Sequence, residues 1–190
     1  MTDSILAHFP EIQTDRLTLR ETKPQDAQAL FEILSEERIT RYYNIGPLTS
    51  IEQARELIKY RRRSFQSGQR IRWAITTKDD SLLIGSAGYV DLNNNAHRAE
   101  IGYELGEKHH GQGYMTEALK GIIEFGFTHL SLNRIEALVV PENMPSIKLL
   151  QKLAFHEEGL LRKRGYWKNE FHDLKIYSLL HAEFAELGQP

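Results

Sequence analysis

The chain has no cysteine. That excludes disulfides, a cysteine nucleophile and cysteine-based zinc sites. Its eight histidines fall into no His-Glu-x-x-His or comparable ligand spacing, so no metal is expected. No apolar run approaches the ~20 residues of a membrane span. An excess of one charge is lacking too. With 24 Lys and Arg against 26 Asp and Glu, the net charge is -2, which argues against general nucleic-acid binding. The first residues show neither a basic start nor an apolar core, so no secretory leader is expected and the cytoplasm follows by default. There are no repeats, linkers or low-complexity tracts. The 190 residues are most simply one domain, 1–190.

What is present reads as alternating short strands and amphipathic helices. Residues 16–21 alternate as a strand. Pro24 opens a helix that runs to about Ser35, with proline where its missing N–H does no harm. Residues 36–49 read as a loop. Ser50 and Gln53 match a capping box for a helix carrying Ile51, Ala54, Leu57 and Ile58. The run Lys59-Tyr-Arg-Arg-Arg63 on that helix reads first as a solvated face, with contact to an acidic partner second. Strands are expected at 71–77, 82–91 and 97–105, the latter two joined by the turn signal Asn93-Asn-Asn95. A helix over 113–129, a strand over 134–140 and a helix around Ile147–Leu153 follow. Two last strands lie at about 155–163 and 172–180. Between them the cation-aromatic cluster Arg162–Lys168 could contact RNA or an acidic protein segment; the plainer reading is one exposed strand of a hairpin. The order is βααβββαβαββ, a mixed α/β (α+β) central sheet with helices on both faces.

The densest chemistry lies in Gly111-Gln112-Gly113, between a strand and a helix start. Glycines there can take positive φ and let the chain pass close to a ligand. Successive N–H groups in such a turn make an anion nest, and the helix adds its positive dipole end. A phosphate or pyrophosphate is the guest such a turn fits; a plain strand-to-helix turn is the alternative. No lysine follows Gly113, which excludes a P-loop. Thr116 stands where a dinucleotide fingerprint needs its third glycine. His109-His110 beside the turn reads as polar lining.

Gly111-Gln112-Gly113-Tyr114 with Thr116-Glu117-Ala118 resembles the pyrophosphate loop of the GNAT acetyltransferases, in their RimJ/RimL-type branch. Asn143-x-x-Ser146, leading to Phe155-x-x-Glu158-Gly159, is similar to that family's second CoA motif. Thr14–Arg20, Trp73–Ile75, Leu83–Gly85 and Asp173-x-x-x-Tyr177 match in order, giving a core of about 12–181. Departures are His110 for a common tryptophan, Glu107 for a common proline, Ala154 for the glycine before Phe155, and Glu170 for the glycine after Asn169. The last implies a longer or differently shaped hairpin, where acceptors are often selected.

The resemblance implies the GNAT (acyl-CoA N-acyltransferase) fold, with strands 97–105 and 134–140 splayed around acetyl-CoA. It implies cofactor contacts at Tyr103, Leu105, His110, Gly111, Gln112, Gly113, Tyr114, Met115, Thr116, Asn143 and Ser146. A main-chain N–H near Tyr103–Leu105 would meet the oxyanion. Glu100 is the first candidate general base. Glu104 shares its face; either could be simply a polar strand face, the favoured reading for Glu104, and Glu158 is a third option, or orders the hairpin. The tyrosine that commonly protonates the thiolate is replaced by Leu150, which leaves Ser146 as donor. Asn143 and Ser146 could equally cap their helix. The acceptor is read as a protein N-terminal α-amine. Alternatives are a small-molecule amine, such as a polyamine, amino acid or antibiotic, or a non-catalytic CoA-binding module. A homodimer stays open; no membrane or direct nucleic-acid contact is expected.

Overall fold

A computed structural model describes residues 8–79 and 81–187; the residues read for a leader lie mostly outside these. Eight strands form one sheet in the order β1-β2-β3-β4-β5-β6-β8-β7. They are β1 Ile12–Gln13, β2 Leu17–Glu21, β3 Ile71–Thr77, β4 Leu83–Asn93, β5 Arg98–Leu105, β6 Arg134–Val139, β7 His156–Trp167 and β8 Glu170–Leu180. The helices are α1 Ala27–Leu34, α2 Glu37–Thr40, α3 Ile51–Gln66, α4 Tyr114–Thr128, α5 Met144–Lys152 and α6 His181–Leu187. Short 3-10 turns at Pro24–Asp26 and Glu107–His109 precede α1 and the loop before α4.

Alternation along the strands builds a core on each face. On one face, Ile71, Trp73, Ile75, Ala87 and Tyr89 pack with Leu119, Ile122 and Ile123 of α4 and Ile147 and Leu150 of α5. On the other, Ala74 and Leu83 meet α1 and α3 through Leu30, Leu34, Ala54 and Ile58. Trp73 stands edge-on to Tyr89 and Phe125, at centroid distances of 6.1 and 5.6 Å. The Tyr89 hydroxyl donates to the Ile122 carbonyl at 2.6 Å, locking α4 onto β4. Gly126 makes room for it, since a Cβ there would lie 2.1 Å from the hydroxyl oxygen.

One pair in the sheet is parallel, β5 with β6, and it closes only over Arg98–Glu100 against Arg134–Glu136. Beyond that point β5 continues to Leu105 paired with β4, and β6 continues to Val139 paired with β8. A bulge in β4 between Tyr89 and Asp91 faces the place where the two strands part; bulges increase local twist and bend the strand.

Four expectations need correction. Residues 36–49 contain α2, a single turn without hydrophobic periodicity. The capping box at Ser50 is not made, because Gln53 Oε1 accepts instead from the Thr49 N–H at 2.8 Å. The carboxyl-terminal hairpin is longer than expected in its strands yet turns tightly, with Lys168 and Asn169 at φ 53° and 63° between paired Trp167 and Glu170. Asparagine tolerates such a φ and fits a two-residue turn, so no glycine is needed after it. The helix run Lys59–Arg63 is not solvated throughout: the Arg61 side chain is 11% exposed and turns inward.

Candidate active site

The turn before α4 has the conformation its glycines permit. Gly111 and Gly113 take φ of 74° and 81°, and Gly113 is the N-cap of α4. Among the described residues nothing accepts from the main-chain N–H groups of Gly111, Gln112, Gly113, Tyr114, Met115 or Thr116; the first helical bond runs from Glu117 to Gly113. Six free donors and a helix N-terminus thus converge on one spot. Space around an added Gly111 Cβ is open to 4 Å, so the turn is accessible from outside.

Residues far apart in sequence hold this turn. Glu117 accepts from the Thr14 hydroxyl at 2.6 Å and from the Arg16 N–H and Nε at 2.8 and 2.7 Å. Arg16 also donates to the Gln112 carbonyl at 3.0 Å and lies over the Tyr114 ring. Burial pushes the Glu117 carboxyl up, but these donors outweigh it and the net shift is downward. The Thr14–Arg16 and Thr116–Ala118 motifs are therefore two halves of one clamp.

The placements of the loop side chains differ. The Tyr114 ring flanks the turn under Arg16. Thr116 lies in the first turn of α4. The Gln112 amide turns back to the Lys108 carbonyl at 2.9 Å. The Met115 side chain is buried in the core, which leaves only its N–H facing the turn. His110 Nε2 bonds the Leu105 carbonyl at 2.8 Å. Burial lowers the His109 pKa, aided by Lys108 and His110.

The parting of β5 from β6 frees one edge of β5. An added Gly85 Cβ would lie 2.5 Å from the Glu104 carbonyl oxygen, so Glu104's main chain faces β4. Strand alternation then turns the main-chain groups of Tyr103 and Leu105 toward the gap. The Tyr103 carbonyl accepts from the Tyr43 hydroxyl at 2.8 Å.

On the α5 side of the gap, Asn143 caps α5, its Oδ1 accepting from the Ser146 N–H at 3.3 Å. The Ser146 and Tyr103 hydroxyls share a hydrogen bond of 2.7 Å across the gap. Burial pushes the Tyr103 phenol up to about 12, against the bond to Ser146. Its backbone was foreseen; its hydroxyl as partner of Ser146 was not. Leu150 is fully buried in the core, away from any such role.

The three carboxylates separate by surroundings. Glu100 sits where the strands part, half-buried and without a hydrogen bond among the described residues. Burial raises its pKa, reinforced by Asp91 and Glu136 and opposed by Arg98 and Arg164. Glu104 lies on a polar strand face, buried against Arg61, Arg72, Ser86 and Tyr43. Glu158 is locked by Arg134 and Ser178, which hold its carboxyl down at about 2, so it orders the hairpin. Arg61 and Arg72 were missed, although Arg61 lies seven residues after Ala54 and three after Ile58, on the inward stripe of α3. No cluster of three or more metal-ligating side chains exists among the described residues.

Residues 16–156 match the model of the acetyltransferase (GNAT) domain. The chain belongs to the GNAT N-acetyltransferases. An uncharacterized N-acetyltransferase, p20 of Bacillus licheniformis, is 44% identical over 174 residues, covering 92% of this chain and 98% of p20. The spermidine N(1)-acetyltransferase of Vibrio cholerae is 24% identical over 174 residues, covering 92% and 98%. Among solved structures, RimL, a ribosomal L7/L12 α-N-protein acetyltransferase in complex with coenzyme A, superposes with a TM-score of 0.81 at 21% identity, covering 90% of this chain and 98% of RimL. That likeness establishes the GNAT fold, with its mixed sheet and helices on both faces. No helix among the described residues is long and apolar enough to cross a membrane.

Proposed function

We propose that the chain acts as one cytoplasmic domain that binds acetyl-CoA and transfers its acetyl group to a primary amine, a peptide or protein N-terminal α-amine. The observation that carries this is the edge of β5 left without a strand partner beside the Gly111–Gly113 turn. A diphosphate fits the six unpaired N–H groups and the dipole of α4. The pantetheine amides fit the outward main chain of Tyr103 and Leu105 as an added strand. Gln112 and His110 line the turn, and Asn143 and Ser146 lie across the gap.

When bound, acetyl-CoA supplies the acyl group as an activated thioester. Glu100 accepts the proton of the acceptor ammonium, for which its burial-raised pKa suits it. The neutral nitrogen attacks the acyl carbon; a C–N bond forms as the C–S bond breaks, and the nitrogen sheds its surplus proton to solvent. A main-chain N–H of Tyr103–Leu105 faces the developing oxyanion. The Ser146 hydroxyl gives its proton to the departing sulfur and is re-protonated from solvent, while Tyr103 orients it. An α-amine near pKa ~8 is about a tenth neutral at pH 7, a lysine far less, so the α-amine asks less of one carboxylate.

The test is binding and turnover of Gly113→Val. A β-branched residue is strained at φ 81°, and its Cβ would lie 3.4 Å from Arg16 Nη2, so its methyls press on the clamp that holds the turn. Acetyl-CoA affinity measured by calorimetry is expected to fall at least about tenfold; unchanged affinity in a folded variant refutes the loop assignment.

A further inference from the structure

The α1–α3 face of β5 carries Glu100, Gly102 and Glu104 in succession. Glu104 binds both Arg61, with Nη2 at 3.0 Å, and Arg72. These guanidiniums are 11% and 10% exposed, and Glu104 is the one carboxylate that either pairs with among the described residues. Tyr43 does not balance them: its phenol is pushed up by burial and stays neutral. Two buried cations thus share one anion. Arg61 Nη1 is buried and has no hydrogen-bond partner among the described residues. A buried, incompletely paired guanidinium is costly, and an added anion would offset that cost.

The position of this charge matters as much as its sign. The Tyr43 hydroxyl, 2.6 Å from Glu104 Oε2, also touches the Tyr103 carbonyl on the gap edge of β5. Arg72 Nη1 would lie 3.2 Å from a Cβ on Gly102, so the guanidinium lies close over the bare glycine. Glu100 stands two residues before that glycine, about 6.6 Å along β5. Over this face runs a strap. Tyr42 donates to the Glu142 carbonyl at 3.2 Å, and Lys168 Nζ of the β7–β8 turn donates to the Thr40 carbonyl at 3.0 Å.

We propose that Arg61 and Arg72 form a carboxylate subsite of the acceptor cleft, so that the acceptor is a primary amine that also bears a carboxylate. A free amino acid and a peptide with an acidic residue next to its N-terminus both present this chemistry. Polyamines are disfavoured by the same charge. The inference rests on acetyl transfer at the gap and narrows its acceptor.

The experiment compares matched acceptors with the full chain and acetyl-CoA, following free thiol. The pairs are Ser-Glu against Ser-Gln amino-terminal peptides and glutamate against its α,γ-diamide, with spermidine as the cationic arm. A charge-assisted contact predicts kcat/KM for the acidic member roughly ten- to a hundredfold higher, with spermidine lowest. Whichever acidic arm is used best identifies the source of the carboxylate. Arg61→Gln brings the acid-to-amide ratio close to one, whatever the absolute rate. If that variant fails to fold, the wild-type ratio still decides. Equal rates on acid and amide, or spermidine as the best acceptor, overturn the subsite. Calorimetry with acetyl-CoA alone separates the two readings: retained binding with equal rates overturns only the subsite, and absent binding overturns both.

Discussion

Gly126→Ala inverts the usual effect of alanine in a helix. At an interior position of α4 the substitution would ordinarily stabilise by about 1 kcal/mol. Here the new Cβ lies 2.1 Å from the Tyr89 hydroxyl oxygen and 3.0 Å from Leu132 Cδ1. Ordinary contact begins at 3.4 Å, so by difference the hydroxyl must retreat by roughly 1.3 Å. Tyr89 is fully buried, and the retreat strains or breaks its 2.6 Å bond to the Ile122 carbonyl. Overpacking costs about 1–3 kcal/mol, and an unpaired buried hydroxyl about 1–3 kcal/mol. Less the helix gain, the net loss is about 1–5 kcal/mol, centred near 3. Urea unfolding followed by circular dichroism measures it. Tyr89→Phe should itself cost about 1 kcal/mol and recover much of the loss when combined with Gly126→Ala, because the Cβ then occupies the hydroxyl's place. A single Gly126→Ala variant as stable as the parent refutes the packing of α4 on β4. Since α4 begins at the glycine turn, the same variant reports whether that seam positions the site.

Other outcomes follow from the carboxylates and hydroxyls around the gap. Glu100→Gln should leave acetyl-CoA affinity unchanged and lower turnover of an α-amine acceptor about tenfold at pH 7, the loss shrinking toward none by pH 9 as the amine deprotonates by itself; a pH-independent ratio of the two rates removes Glu100 as base. Ser146→Ala and Tyr103→Phe should each lower kcat with little change in KM for acetyl-CoA, and their effects should not add, because the two hydroxyls share one hydrogen bond. Additive losses in the double variant refute a coupled pair. Arg134 first and Ser178 second hold the Glu158 pKa down at about 2. A depressed carboxyl contributes stability that is present above its unfolded pKa of ~4.3 and lost as pH falls toward 2. Glu158→Gln should therefore flatten the acid limb of a stability-versus-pH curve between about pH 4.5 and 2; an unaltered limb shows that the pairing contributes nothing.

Local chemistry in the sequence was enough for most elements and for the loop. Apolar alternation marked β3 at Ile71–Thr77 without error, and helical spacing marked α4 to within a residue at each end, because both periods are properties of neighbouring residues. Gly111 and Gly113 announced a positive-φ turn for the same reason. The parting of β5 from β6 was legible only through resemblance to a family. The tertiary structure decided which side chains meet. Tyr103 was readable as a strand residue, but that its hydroxyl reaches Ser146 on α5, forty-three positions away, depends on how a strand and a helix dock. Glu104 alternates like a surface residue, yet α3 and β3 bring two arginines onto it. One-dimensional periodicity tells which face a side chain takes; what waits on that face, and hence whether a charge is solvated, paired or left seeking a partner, is set by elements distant in the chain.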